Sequence, residues 1–168
     1  HMKVHHIMSR SVVTVTPQTT FSDLWKAIFQ KHVNALPVVD KNNRLLGIIT
    51  REDLLSALYP DYRSVIDQFT GVEEQFEELE NALREKTAIR AKDVMNAHVI
   101  FTRHDTPVMR ALSRMIARRL NQLPVLSPED RVIGVITKGD VFYALFKKHA
   151  LWQKTQRGAA QRKTSKKK

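Results

Sequence analysis

A hydroxyl three residues ahead of a carboxylate closes an apolar run twice in this chain. The first case is Thr50-Arg51-Glu52-Asp53 after Gly47-Ile48-Ile49, and the second is Thr137-Lys138-Gly139-Asp140 after Gly134-Val135-Ile136. Thr-x-x-Asp at the junction of an apolar run and a new apolar period reads as a buried strand feeding a helix. The first helical N–H groups at such a corner have no intrahelical partner and the helix dipole is positive there, so anions are favoured. The same spacing is also a capping box. For one copy the cap is the better reading; two aligned copies with the same upstream Gly and strand favour a pair of related pockets.

Bond-making chemistry has no comparable set. The sequence holds no nucleophile elbow and no Walker loop, and its paired carboxylates sit on no recognisable scaffold. It has no cysteine, which removes disulfides, thiolate metal sites and thiol nucleophiles. His5, His6, His32, His98, His104 and His149 show no metal-ligand spacing with neighbouring acids, so no metal is expected. Met and aromatic residues on the helices are expected in the core.

The elements that position the two corners form a repeat. Residues 7–58 lie on 94–145 at a constant offset of 87 with no gap: Met8 on Met95, Asn34 on Asn121, Leu36-Pro37-Val38 on Leu123-Pro124-Val125. Each copy reads strand, helix, strand, strand, helix, an α/β (α+β) pattern. Val12–Val15 is a β-branched strand stopped by Pro17. The next helix is expected to be capped at Thr19, and in the second copy to start at Pro107 after Thr106. Its stripe is Phe21, Leu24, Trp25, Ile28 and Phe29, echoed by Val108, Ala111, Leu112, Met115 and Ile116. Leu36–Val39 and Leu45–Ile49 flank the turn Asp40–Asn43 as a hairpin, and Asp53–Leu58 begins the closing helix.

Neither half buries a good core alone, so a pseudo-symmetric pair packed sheet to sheet is expected. The boundaries are 2–59 for repeat one, 60–92 for a helical linker, 93–148 for repeat two and 149–168 for a basic, flexible tail. In the linker Val65, Ile66, Phe69, Val72, Phe76, Leu79 and Leu83 recur at helical spacing, with an acidic amphipathic helix expected over about 72–86. Charge is unevenly placed. The net +11 contains nine Lys/Arg and no acid from Lys147 onward, whereas Asp67–Glu85 carries seven acids against one Arg. No run approaches the ~20 apolar residues of a membrane span, and the start lacks the apolar stretch of a secretory signal. A cytoplasmic location is the expectation.

A gapless βαββα repeat with Leu-Pro-Val on its second strand and Gly-h-x-Thr-x-x-Asp on its third resembles the tandem CBS-domain proteins, in which a pair of repeats is called a Bateman module. The resemblance spans nearly all of the chain outside linker and tail. It implies two clefts between the repeats that bind AMP, ADP, ATP or S-adenosylmethionine as regulatory ligands, with no cofactor in a catalytic sense. Asp53 and Asp140 would accept from ribose hydroxyls, and Thr50 and Thr137 would lie near ribose or phosphate. Val13-Thr14-Val15 with Asn34-Ala35-Leu36, and Ile100-Phe101-Thr102 with Asn121-Gln122-Leu123, would wall the adenine. Arg51 and Lys138 are candidates for phosphate, as are Lys31-His32 and Arg118-Arg119. The chemistry is sound from below: a carboxylate accepts from two vicinal hydroxyls, and aliphatic strands suit a purine face.

The copies differ in ways that bear on phosphate. Glu52 stands where the second copy has Gly139, Thr16 where it has Arg103, and Pro17 where it has His104. A Glu repels phosphate and a Gly permits close backbone approach, so the second copy is expected to be the stronger phosphate site. The function expected is a non-enzymatic module that senses an adenosine nucleotide and modulates an unknown partner, as a homodimer. The alternative is a dimeric interaction protein with empty clefts whose basic tail contacts nucleic acid, with affinity but no sequence specificity.

Overall fold

The computed structural model describes residues 1–58, 81, 84, 85 and 87–165. The linker helices expected over 60–92 fall largely outside these residues. The elements run α1 (Val4–Ile7), α2 (Phe21–Trp25, continued by a π-helical turn over Lys26–Gln30), β1 (Ala35–Val39), β2 (Leu45–Thr50), α3 (Arg51–Leu58), α4 (Ala91–Val94), β3 (Thr102–Arg103), α5 (Val108–Arg118), β4 (Gln122–Leu126), β5 (Val132–Thr137) and α6 (Lys138–Ser165). They divide into two units. One holds Ser11–Ile100 and Leu126–Val132, the other His1–Arg10, Phe101–Val125 and Ile133–Lys168.

In the unit built on the first repeat, β1 and β2 pair antiparallel with Ala35 opposite Thr50 and Leu36 opposite Ile49. The expected strand Val12–Val15 shrinks to Val15 alone, bridging Val38 in parallel with Val15 N–H on the Pro37 carbonyl at 3.0 Å. The helix cap is one residue later than expected: Thr20 accepts from Asp23 N–H, while the Thr19 hydroxyl accepts from Thr16 N–H at 3.0 Å in the preceding turn. Phe21, Leu24 and Ile28 are buried with Leu36, Val38, Ile49 and Leu54, and Trp25 and Phe29 pack against them. Asp40 binds the Arg44 and Asn42 N–H groups of the hairpin turn, which holds its carboxyl below the usual range. The Leu45 N–H donates to the Asp130 carbonyl and the Val132 N–H to that of Asn43, so residues 126–132 join this unit through backbone.

In the other unit, β3, β4 and β5 form one sheet in that order. Val108, Ala111, Leu112 and Met115 are buried as the stripe requires, each large side chain contributing about 1.5–3 kcal/mol. Ile116, expected in that stripe, is 58% exposed. Pro107 caps α5 rather than opening it, so Val108 is the first helical residue. The tail expected to be flexible from residue 149 continues α6 as helix to Ser165. Ala, Leu, Lys, Arg and Gln predominate there and are strong helix formers, and Arg162 and Lys163 suit the negative end of the dipole.

Sequence repeats and compact units do not coincide at the head segments. Met8 and Ser9, at the start of the first repeat, lie on β5 of the second, with Ser9 and Val135 exchanging N–H···O bonds of 2.9 Å. Met95 and Asn96 do the same on β2 of the first, through Asn96 and Ile48 at 2.9 Å. The motif glycines sit under these crossings. A Cβ on Gly134 would stand 2.6 Å from the Met8 sulfur and 2.8 Å from the Ser9 carbonyl oxygen; on Gly47, 2.7 Å from the Met95 sulfur and 3.0 Å from the Asn96 oxygen. A methionine tip can turn aside, but a paired backbone carbonyl cannot. Gly134→Ala and Gly47→Ala are therefore expected to destabilise by about 1–3 kcal/mol each in urea unfolding. Gly158→Ala, in helix with open space around it, should instead stabilise by about 0.5–1 kcal/mol. Equal midpoints for Gly134→Ala and the wild type would refute the crossing as the reason for glycine.

Candidate functional site

Both Thr-x-x-Asp corners form, and both are capping boxes. In the first, Asp53 Oδ2 accepts from the Thr50 N–H at 2.8 Å and from the Thr50 hydroxyl at 2.9 Å, with a longer return bond of 3.4 Å from Asp53 N–H to Thr50 Oγ1. In the second, Asp140 Oδ2 accepts from the Thr137 N–H at 2.9 Å, and Thr137 Oγ1 accepts from the Asp140 N–H at 3.0 Å. One carboxylate oxygen thus holds the start of each closing helix. Among the described residues Oδ1 accepts nothing in either copy, and both Asp side chains are half-buried. A carboxylate fixed through Oδ2 presents Oδ1 in one direction with no rotamer left to lose, a preorganised acceptor for a hydroxyl.

In the first copy the register brings two of the other candidates, Ala35 and Leu36, to the corner. Ala35 lies across from Thr50 and Leu36 from Ile49, so the strand start proposed to face adenine adjoins the helix start. Asn34 is exposed, whereas Ala35 and Leu36 are buried; Val13 is exposed, Thr14 half-buried and Val15 buried. In the second copy the Lys138 N–H donates to the Asn121 carbonyl at 3.0 Å, tying the loop before β4 to the start of α6. Gln122 is half-buried beside the buried Leu123, Thr102 is buried and Phe101 half-buried, while Ile100 falls in the other unit.

The basic candidates separate. Arg51 lies 5.5 Å over the Phe29 ring, so its guanidinium is already held by an aromatic face. Lys138, its counterpart, is half-buried, and the residue at the Phe29 position is the exposed Ile116. Arg118 is exposed at the last turn of α5, and Arg119 caps that helix with φ 56°. His32, its counterpart, has φ 54°. A left-handed backbone is costly for residues with a Cβ and is normally given to glycine, so a cation placed there points to use of its side chain.

Arg114 escaped the sequence reading, and Arg103 entered it only as a difference between the copies. Arg114 donates through Nη1 to the Phe101 carbonyl, and Arg103 lies 5.3 Å over the Phe101 ring. The internal alignment holds the signal: Arg114 stands where the first copy has Ala27, and Phe101 where it has Thr14. Elsewhere, His5 donates through Nδ1 to the His104 carbonyl at 2.8 Å and its ring lies 4.1 Å from that of His6. Among the described residues no group of three or more His, Asp or Glu could hold a metal ion, and no helix is long and apolar enough to cross a membrane.

The cap and the acceptor are separable by substitution. Asp140→Ala removes both and should cost about 1 kcal/mol of stability. Asp140→Asn keeps an oxygen for the Thr137 N–H, so most of that stability should survive while the anionic acceptor is lost. Thermal unfolding of the pair checks this, and equal loss in both would show that the charge, not the cap, is what the helix start needs.

Comparison with known proteins places this geometry. The model of the CBS domain matches residues 4–60 and again 91–147. An inosine-5'-monophosphate dehydrogenase of Methanocaldococcus jannaschii is 29% identical over 139 residues, which are 83% of this chain but 23% of the dehydrogenase. An uncharacterized protein of the same archaeon is 28% identical, with 86% of this chain and 91% of the relative covered. Among solved structures, the CBS-pair protein CBSX2 from Arabidopsis thaliana superposes with a TM-score of 0.72 at 25% identity, covering 88% of this chain and 96% of that one. CBSX2 has also been solved in complex with AMP, at a TM-score of 0.68 and 23% identity over 89% of this chain and 99% of that one. The CBS domain pair of protein MJ0100, in complex with 5'-methylthioadenosine and S-adenosyl-L-methionine, gives 0.63 at 24% identity, covering 88% and 98%.

Proposed function

We propose a function from one premise: the chain belongs to the CBS-domain family, with two copies of the domain in tandem. It is a regulatory module that binds an adenosine compound at its strand-to-helix corners and relays the binding to a partner. The observation that carries this is the preset carboxylate. In each copy the Asp is pinned by its Thr through one oxygen, and the other is left to accept from a ribose hydroxyl. The AMP of CBSX2 and the methylthioadenosine and S-adenosyl-L-methionine of MJ0100 support a ligand with an adenosine moiety. The chain spans about a quarter of the dehydrogenase it matches, so that activity does not pass to it by similarity, and we read it as non-enzymatic. We place it in the cytoplasm as a homodimer.

The second corner is the stronger seat for phosphate. Arg51 is committed to Phe29 and has Glu52 beside it. Lys138 has no ring beneath it among the described residues and is followed by Gly139, whose added Cβ would meet nothing nearer than the Thr137 hydroxyl at 3.5 Å. Arg119, in its left-handed cap, adds a cation where the first copy has His32. A ligand can shift the module only by binding one arrangement better than another, and phosphate charge neutralised by these cations supplies that difference.

Isothermal titration with AMP, ADP, ATP and S-adenosylmethionine tests the reading. At least one should bind below about millimolar, a limit of about −4 kcal/mol. Asp140→Asn should weaken the second site roughly 10- to 100-fold, the range for a hydrogen bond to a charged group. Lys138→Ala should weaken ATP more than S-adenosylmethionine, whereas Arg51→Ala should leave both unchanged. Absence of heat with all four ligands, or binding that survives the double variant Asp53→Asn/Asp140→Asn, would overturn the assignment.

A further inference from the structure

Helix α6 is far longer than its packing requires. Its first turns bury Val141 and half-bury Ala144, and from Leu145 to Ser165 every residue but Gly158 is exposed. Two features set this free length apart from an ordinary solvated helix. The first is charge. After Asp140 the sequence has nine Lys/Arg and no acid, and six of the nine fall within the helix. A solvated helix usually mixes the two signs, which lets charges four residues apart pair. The second is where the cations do not stand. At about 100° per residue, Phe142, Leu145, His149 and Trp152 share one face with Phe146 beside them, and Gln156 and Ala159 continue it. No Lys or Arg enters that face before Lys163. Lys148 and Arg157 run along its two edges, while Lys147, Lys154 and Arg162 lie on the far side. Its aromatic side chains are open to solvent: Phe142 is 55% exposed, Phe146 71% and Trp152 58%, with the His149 ring stacked 6.0 Å from that of Trp152.

We infer that α6 beyond Phe142 is a binding helix for an anionic phospholipid surface. It lies in the plane of the bilayer with the Phe142–Trp152 face at the boundary of headgroups and acyl chains. Apolar and aromatic side chains gain by entering that boundary, and the edge cations reach back to lipid phosphates along their own methylene stems. The far-side cations add attraction to the negative surface. Such a helix rests on the bilayer; among the described residues none is long and apolar enough to cross one. Nucleic acid would meet the cations but leave the charge-free aromatic face in water. A second copy laid face to face on α6 would bring together two helices with cations and no acid after Asp140, and like charges oppose that pairing. The nucleotide reading is independent of this surface.

Flotation of the full chain with phosphatidylcholine vesicles, with and without phosphatidylserine, tests the inference. The wild type should float only with the phosphatidylserine vesicles, and added salt should release it. Lys148→Glu/Lys154→Glu/Arg157→Glu and, separately, Phe146→Ser/Trp152→Ser should each weaken binding at least about tenfold. All five substituted side chains are exposed, and circular dichroism reports whether the helix persists. Vesicles with brominated acyl chains should quench Trp152 in the wild type, and Trp152→Phe, which keeps Trp25, should lose that quenching. A wild type that stays off anionic vesicles would overturn the inference, whether it retards an RNA or DNA oligonucleotide through the cations or self-associates through Phe146 and Trp152. Binding retained by Phe146→Ser/Trp152→Ser, or a Trp152 that bromine leaves unquenched, would overturn it too, since charge alone would then account for adsorption.

Discussion

The structure depends on one close approach made twice, between a motif glycine and the head segment of the opposite repeat. At Gly134 the Ser9 carbonyl comes within 2.8 Å of where a Cβ would be, and at Gly47 the Asn96 carbonyl comes within 3.0 Å. Each approach is held by a reciprocal pair of backbone hydrogen bonds, Ser9 with Val135 and Asn96 with Ile48. Such bonds are hard to give up, since a buried N–H or C=O left unpaired costs about 1–3 kcal/mol. The same exchange is seated again one turn earlier, where Val4 N–H meets the Thr106 carbonyl and Ala91 N–H the Thr19 carbonyl. A single repeat cut from the sequence would lack the segment that covers its own third strand. Duplication here is a condition of folding as well as a doubling of sites.

The crossing also places the chemistry. The glycine is three residues before the Thr of each corner, so the covered strand runs from the crossing straight into the capping box. With the strand fixed at one end and the helix start tied by Thr and Asp at the other, the carboxylate has little freedom. Capping and ligand binding are therefore not competing accounts of Asp53 and Asp140. The cap uses Oδ2 and explains why the residue is Asp and why it stands three after Thr; a ligand would use Oδ1 and gain from an orientation already settled.

Much of this is legible in the sequence, because the repeat is local and gapless. The offset of 87 sets both hairpins and both corners, and even the left-handed turn residues obey it, Asn43 and Asp130 each with φ 64°. The parts that are not legible depend on contacts distant in sequence. Nothing in Met8 or Met95 says which strand it lies on, because each copy's periodicity is satisfied either way. Val12, Val13 and Thr14 have strand composition but no pairing partner among the described residues, so propensity yields to topology. Arg51 reads as available for phosphate because the ring beneath it belongs to another helix, 22 residues earlier in the chain. Residues 149–165 read as flexible because the apolar period weakens after Phe146, with only Leu151 and Trp152 to extend the helix, yet a run of strong helix formers following a packed first turn needs only propagation, not a new nucleus.

What separates the two copies is then more informative than what they share. The backbone is common to both: the same crossing, the same box, the same left-handed residue after the first helix. The side chains diverge. Phe29 holds Arg51, whereas its counterpart Ile116 stands exposed; the Phe101 ring lies under Arg103, whereas its counterpart Thr14 has no ring to offer. Here Arg114 stands for Ala27, Arg103 for Thr16 and Gly139 for Glu52, three changes toward positive charge in the second copy. At a helix start, whose N–H groups favour an anion, that difference in charge is the ground on which the stronger phosphate site is proposed for the second copy.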